Sequence, residues 1–307
     1  MEQVLDIGEY GDKVRLDGGR IVVRRTDGTS AFVPVGDVAV LMFSEPNLSV
    51  SVAMLTALAK GGGTAVACDR THIPVGIFQP LTAYSRSTAV LLGQIAARPL
   101  LRARLWQRIV QAKIRAQART LERYGRRDAG LEALARDVRR GDTENVEGHA
   151  ALRYWRRLGL FEHRDRTAAD ANRPLNYAYT VLYGSVVRAL CCAGLNTALG
   201  LNHRGPTNPH CLASDLMEPF RPAADAAVHD WLTANPGAYD LGPVCKRHLL
   251  KALLASRWRT GQGIMPFFAA LSRSAVSLRE CLLSDSVELE LPVQVYEEED
   301  DVDTGVV

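Results

Sequence analysis

The hydrophobic pattern of the chain changes near residue 86, and this change limits the folds that the chain can adopt. Before it, short runs rich in Val and Ile are separated by turn signals such as Asp17-Gly18-Gly19 and Asp27-Gly28, which is typical of β-hairpins. After it, apolar residues recur at helical spacing. We therefore predict an α+β protein with a small N-terminal β-rich, β-sandwich-like domain (1–78), a linker (79–85) and a larger all-α domain (86–284).

The two patterns also predict the individual elements. The expected strands are Val4–Ile7, Val14–Leu16, Arg20–Arg25, Ala31–Val35, Val38–Phe43 and Thr64–Cys68. A helix between Leu48 and Leu58 is expected to end at Gly61-Gly62-Gly63. A long helix through residues 101–127 is expected to be followed by helices at Val146–Leu158, Leu175–Cys192, Pro222–Ala234, Val244–Leu253 and Phe267–Ser284.

Charge is distributed unevenly along the chain. Residues 285–307 contain nine Asp and Glu and no Lys or Arg, so the first 284 residues carry a net charge of +12 although the whole chain carries +3. Such a basic body favours a polyanionic partner, with a merely soluble basic surface as the alternative. The acidic tail is expected to be flexible and to compete with DNA, although Val287–Val295 alternates like a strand.

Nine cations and a single acid, Glu122, lie between residues 101 and 127. So many like charges on one helix favour contact with a polyanion over a purely solvated face. The candidate nucleic-acid-binding residues of this basic helix are Arg104, Arg108, Lys113 and Arg115.

Other classes of protein are disfavoured. The sequence has no uninterrupted apolar run of about 18 residues, which a membrane span requires, and no N-terminal run typical of a signal peptide. Its six cysteines are irregularly spaced, which favours a reducing compartment and hence a cytoplasmic protein without a membrane partner. Nucleotide-binding loops and Ser/His/Asp motifs are also absent from the sequence.

One polar stretch carries most of the potential metal ligands. His203 precedes a short helical pattern, Cys211–Glu218, in which Asp215 and Glu218 are three residues apart and so share a face. Together with Glu147, at the start of another predicted helix, they form a donor set suited to Mg²⁺ or Mn²⁺. Glu147 also fits a plain helix-dipole role, and Glu144 is expected to cap its helix.

A zinc site is the competing metal interpretation. It would use His203, His210 and Cys211, with Cys191 or Cys192 as the fourth ligand. Their spacing fits no common zinc module, and Cys191 and Cys192 lie in an apolar helical run where buried cysteine is the usual state. His210 is accordingly expected to be a structural or surface residue.

Several motifs in order resemble one known family. They are Trp106–Ile114, Asn145-Val146-Glu147-Gly148-His149-Ala150-Ala151, Asn172–Tyr179, Leu201-Asn202-His203 and Asp215-Leu216-Met217-Glu218-Pro219-Phe220-Arg221-Pro222. Together they resemble the CRISPR-associated adaptation integrases, the first-numbered Cas proteins, in their type II version. The resemblance covers about residues 4–285.

The resemblance implies a metal-dependent integrase and endonuclease of prokaryotic cytoplasm. Such enzymes insert short foreign DNA into the CRISPR array, by attack of a 3′-hydroxyl on phosphodiesters of the repeat. It implies Glu147, His203 and Glu218 as catalytic metal ligands for Mg²⁺ or Mn²⁺, and Asp215 as an auxiliary acid.

The implied partners are double-stranded DNA, a second copy of the chain joined through the β-rich domain, the small second-numbered Cas protein and other type II CRISPR components. The helical domain would then be catalytic. The alternative function is a DNA-binding scaffold whose acidic cluster is only structural.

Overall fold

The computed structural model describes residues 2–8, 13–81, 84–161 and 170–296, and its N-terminal part consists mainly of strands. Ser51 caps the one α-helix in this part by accepting the amide of Met54 at 3.3 Å, so the helix begins later than the predicted Leu48. The elements are β1 Gln3–Ile7, β2 Lys13–Asp17, β3 Arg20–Arg24, β4 Ser30–Pro34, β5 Val38–Phe43, β6 Ser49–Val50, α1 Val52–Lys60, β7 Thr64–Cys68 and β8 Pro74–Phe78.

Two four-stranded sheets enclose the N-terminal core, as the sandwich prediction requires. One has the order β4-β3-β2-β6, and both predicted hairpins are present in it. The other has the order β1-β5-β7-β8, in which β5 is parallel to both of its neighbours. Ile21, Leu41 and Leu58 are buried between the sheets and α1.

Strand β5 is apolar on both faces because it is covered on both sides. Leu41 faces the N-terminal core, whereas Val40 and Met42 belong to the core of the helical part. This explains the unbroken run Val38-Ala39-Val40-Leu41-Met42, which is typical of parallel strands. A Cβ on Gly184 would lie 2.9 Å from the Val66 side chain, so glycine allows a helix to approach the sheet closely.

Helices dominate the rest of the chain, and the predicted Val146–Leu158 and Phe267–Ser284 are confirmed to the residue. The helices are α2 Ser87–Ala96, α3 Pro99–Arg123, α4 Leu131–Asp137, α5 Val146–Leu158, α6 Asn172–Cys192, α7 Cys211–Leu216, α8 Arg221–Ala234, α9 Pro243–Leu254 and α10 Phe267–Ser284. None of the described helices is both long and apolar enough to cross a membrane.

The all-α prediction for this part is wrong in one region. Strands β9 Arg257–Thr260, β10 Gly263–Pro266 and β11 Val293–Val295 form a small antiparallel sheet with β9 at its centre. The strand-like alternation after residue 287 is thus confirmed for β11. Residues 285–296 follow α3 from a contact between Asp285 and Arg98 to Tyr296, which packs against Thr120. The acidic run 297–303 lies outside the described residues.

Candidate active site

A pocket of about 380 Å³ brings the principal sequence candidates together in the helical part. It lies where α3, α5, α6, the loop after residue 200 and the start of α8 meet. Glu147, His203 and Glu218 all line it, although 71 residues separate the first from the last. The other lining residues are Lys113, Gln117, Ala151, Trp155, Tyr179, Asn208, Ser214, Arg221 and Asp225.

Glu147 is presented by the first turn of α5. The cap of this helix is Asp142, whose carboxylate accepts the amides of Val146 at 2.9 Å and Glu147 at 3.1 Å. The prediction that Glu144 caps the helix is therefore wrong, and Glu144 instead pairs with Arg139 at 2.8 Å on the surface. Since Asp142 satisfies the helix end, the side chain of Glu147 is left for the pocket.

Glu218 lies just beyond α7, where the chain forms a single 3₁₀ turn, Glu218–Phe220, before α8. Its side chain is only 4% exposed, and Oε1 lies 3.3 Å from Arg221. Burial by itself raises the pKa of a carboxyl group, but Arg221 and Lys113 outweigh it and hold the pKa of Glu218 below its usual value. Glu218 is therefore an anion in the closed interior of the pocket.

Lys113 joins the two glutamates. Its Nζ lies 2.6 Å from Oε1 of Glu147 and 2.5 Å from Oε2 of Glu218. Burial lowers the pKa of this ammonium, yet the carboxylates of Glu218 and Glu147 raise it above its ordinary value. The expectation of an exposed basic face is thus wrong for Lys113, because its side chain is buried inside the site.

Asp215 fixes the position of His203. Its fully buried carboxylate accepts the amides of Leu201, Asn202 and His203 at 2.6, 3.2 and 3.1 Å, and it bonds to Nδ1 of His203 at 2.6 Å. This hydrogen bond is the main reason that the pKa of His203 is raised above 6.5. The carboxylate is thus occupied in orienting the histidine, unlike the auxiliary ligand expected from the sequence.

With Nδ1 of His203 held by Asp215, Nε2 is the ring nitrogen suited to bind a metal. The ring itself packs edge-on against Trp106, with centroids 5.6 Å apart. The three predicted ligands then offer one imidazole nitrogen and two carboxylates.

Arg221 and Asp225 also belong to the site, and the sequence interpretation did not include them. The guanidinium of Arg221 lies 4.7 Å from the ring centroid of Tyr179. Asp225 accepts hydrogen bonds from Tyr154 at 3.1 Å and Tyr179 at 2.6 Å. The sequence does contain an indication of this role for Asp225. It is a single acid among four alanines in residues 223–227, a segment that is otherwise apolar and suited to burial.

The chemistry of these ligands fits a divalent cation. Within the described ranges, however, no three His, Cys, Asp or Glu side chains lie close enough together to hold a metal ion in their present positions. Glu147 and Glu218 already share one cation, Lys113. In addition, Oε2 of Glu218 is buried without a partner in hydrogen-bonding geometry, despite its 2.5 Å separation from Nζ. A buried anionic oxygen of this kind favours a closely bound cation.

The zinc interpretation is wrong for the side chains that it required. Nδ1 of His210 bonds to Thr197 at 2.6 Å, and Sγ of Cys211 lies 3.3 Å from the carbonyl of Asn208. Cys191 and Cys192 contact Gln79 and Gly62 instead. His210 is buried and structural, as expected.

The remaining basic candidates lie on another face of α3. Arg104, Arg108 and Arg115 are exposed, and at 3.6 residues per turn they project roughly opposite to Lys113. Arg108 and Arg115 border a groove of about 470 Å³ between α3 and residues 289–296. The basic helix therefore presents one cation to the pocket and several to the opposite surface.

Known proteins share both the sequence pattern and the fold. A family model described as "CRISPR associated protein Cas1" matches residues 5–235. The CRISPR-associated endonuclease Cas1 of Neisseria meningitidis is 36% identical over 249 residues, which cover 80% of this chain and 81% of that protein.

Two solved structures show the same fold. A casposase bound to integration product has a TM-score of 0.79 at 18% identity, covering 94% of this chain and 92% of the casposase chain. A chain of a Cas6-RT-Cas1–Cas2 complex has a TM-score of 0.75 at 18% identity, covering 97% of this chain and 36% of the larger one.

Proposed function

The chain belongs to the Cas1 family of CRISPR-associated proteins, and on that premise we propose that it is a metal-dependent DNA integrase and endonuclease of CRISPR adaptation. It would insert spacers into the array by attack of a 3′-hydroxyl on repeat phosphodiesters. The relatives support the reaction class, because one is named an endonuclease and another is a casposase bound to integration product.

The observation that carries the proposal is the convergence of two carboxylates on one cation beside an oriented histidine. Glu147, Glu218 and Nε2 of His203 would hold Mg²⁺ or Mn²⁺, which would polarise the scissile phosphodiester and stabilise the leaving oxygen. Asp215 keeps the tautomer of His203 that leaves Nε2 available. Arg221, which lies 3.3 Å from Oε1 of Glu218, neutralises that carboxylate and keeps it ionised.

Double-stranded DNA, a second copy of the chain and Cas2 are the proposed partners, and the prokaryotic cytoplasm is the proposed location. The named Cas1–Cas2 complex supports Cas2, and the exposed arginines of α3 support DNA. For the homodimer, the β-rich domain is the proposed contact region. The participation of other type II CRISPR components stays a prediction.

Strand transfer with purified protein, Mn²⁺ and a branched or repeat-containing DNA tests the reaction. We expect Glu147→Gln, His203→Ala and Glu218→Gln each to abolish joining while DNA binding persists. Glu144→Gln is the matched control, because this exposed glutamate lies three residues before Glu147 and pairs with Arg139 on the surface. Full joining activity in His203→Ala would rule out the proposed ligand set.

A DNA-binding scaffold is the second candidate, and one observation favours it. Lys113 neutralises Glu147 and Glu218 without any metal, as a purely structural ion-pair cluster would. Under that hypothesis the wild type binds DNA but does not join it in Mn²⁺, and Glu147→Gln lowers the melting temperature more than it changes any DNA reaction.

A further inference from the structure

Lys113 lies on the face of α3 that packs into the apolar core. Ile109, Val110 and Ile114 are fully buried around it, and its own side chain is only 11% exposed. A lysine is rarely buried unless its charge is paired. Here the charge is paired, since the ammonium lies close to one oxygen from each of the two glutamates that line the pocket.

The two contacts place the ammonium where a shared metal ion would have to approach. A divalent ion bound by Glu147 and Glu218 would lie about 2.0–2.2 Å from their oxygens. Lys113 Nζ is already 2.6 and 2.5 Å from oxygens of the same two groups. Two cations in that space repel strongly in a site where water screens little, so both cannot remain there.

Arg221 does not compete in the same way. Its guanidinium lies 3.3 Å from the other oxygen of Glu218, Oε1, and 4.7 Å from the ring centroid of Tyr179. It can therefore stay in place when an ion binds. Lys113 is the cation that must move, and its four-carbon side chain is long and flexible enough to turn its charge into the pocket.

We infer that Lys113 is a resident counter-cation that a divalent ion displaces, and that its released ammonium then pairs with a DNA phosphate in the pocket. The inference rests on the proposed function, because it uses the same pocket for metal and DNA. Without DNA, displacement leaves a buried ammonium without its two carboxylates. With DNA, a phosphate replaces them, so metal and DNA bind cooperatively, each raising the affinity for the other by the same factor.

Lys113 in this role is a positioning residue, and its removal has an effect that a purely structural residue would not produce. Replacing it with methionine removes the competing charge but keeps a long apolar side chain in the core. Metal affinity in the absence of DNA should then rise. A residue that merely preorganised the two glutamates would give the opposite result, weaker metal binding.

The experiment measures Mn²⁺ affinity by titration calorimetry on the full chain, with and without a short DNA duplex. The variants are the wild type, Lys113→Met, Lys113→Gln, Lys113→Arg and Glu147→Gln. Lys60→Met is the matched control, because Lys60 is an exposed lysine at the end of α1 in the β-rich domain. Thermal unfolding with and without Mn²⁺ accompanies each titration and shows whether the metal-free variants fold.

We expect Lys113→Met to bind Mn²⁺ about tenfold more tightly than the wild type without DNA, within the usual range of coupling factors. DNA should increase the Mn²⁺ affinity of the wild type. This increase should be smaller in Lys113→Met and Lys113→Gln, and it should persist in Lys113→Arg and Lys60→Met. Unchanged or weaker Mn²⁺ binding by folded Lys113→Met and Lys113→Gln would overturn the inference. If Glu147→Gln binds Mn²⁺ as well as the wild type, the proposed metal site itself fails, which is a separate result.

Discussion

Replacement of Asp215 by asparagine should disrupt the loop that carries His203. Each carboxylate oxygen accepts two hydrogen bonds: Oδ2 from the amides of Leu201 and Asn202, and Oδ1 from the amide and Nδ1 of His203. An asparagine has one acceptor oxygen and one NH₂ group. With its NH₂ group toward residues 201 and 202, two amide donors would face another donor. With the NH₂ group toward His203, the amide of His203 would face it, and Nδ1 could accept from it only in the other ring tautomer.

The magnitude follows from these contacts. Hydrogen bonds to a charged group contribute about 1.5–3 kcal/mol each, so the loss of one or two should lower the free energy of unfolding by about 1.5–6 kcal/mol. Urea denaturation measures this difference. Asp240→Asn is the control, because Asp240 makes an exposed pair with Arg173, for which a loss of about 0–1 kcal/mol is expected. A loss below about 1 kcal/mol for Asp215→Asn would refute the bonding scheme.

The same substitution should change the dependence of stability on pH. The pKa of His203 is raised above 6.5 in the folded protein, mainly by its hydrogen bond to Asp215. This contribution to stability is complete below pH 6.5 and is lost as the pH rises through the folded pKa. In Asp215→Asn the His203 contribution should disappear, which an NMR titration of the histidine ring and unfolding at several pH values can measure.

Two further changes test the packing and the C-terminal region. Gly184→Val should lower the free energy of unfolding by about 1–3 kcal/mol through overpacking, because even a Cβ at this site would lie 2.9 Å from Val66 and 3.2 Å from Val40. Gly36→Val is the control, because a Cβ there would have nothing within 4 Å. Equal losses of stability in a melting experiment would contradict the close approach at Gly184. Truncation after Tyr296 removes six acidic residues but keeps the contact with Thr120, and DNA affinity should rise at low salt; unchanged affinity would dismiss the proposed competition.

The outline of the fold was predictable because its periodicity is strong. The hairpin turns at Asp17-Gly18-Gly19 and Asp27-Gly28 have one favoured geometry, and α5 and α10 have long apolar faces with clear ends. Strands β9 and β10 have only four residues each, too few to display a period of two. Their turn, Gly261-Gln262-Gly263, was visible, but in sequence it does not distinguish a hairpin from a connection between helices.

The sequence predicted the main residues of the site better than their arrangement in space. Glu147, His203 and Glu218 do line one pocket, but their metal-binding role stays a prediction. Lys113 was assigned to the basic face by its charge, although its spacing from Ile109, Val110 and Gln117 places it on the buried face. Asp215 is expected to share a helix face with Glu218, but α7 ends at Leu216 and Glu218 begins a separate 3₁₀ turn.

The loop around Asp215 has one more consequence. Three consecutive amides, of residues 201, 202 and 203, converge on a single carboxylate, and a Cβ on Gly200 would lie 3.0 Å from that carboxylate and 2.3 Å from the carbonyl of His203. Converging amides of this kind form an anion receptor. The protein fills the receptor with its own side chain, so the three amides are closed to any other anion and hold the backbone of His203 in place.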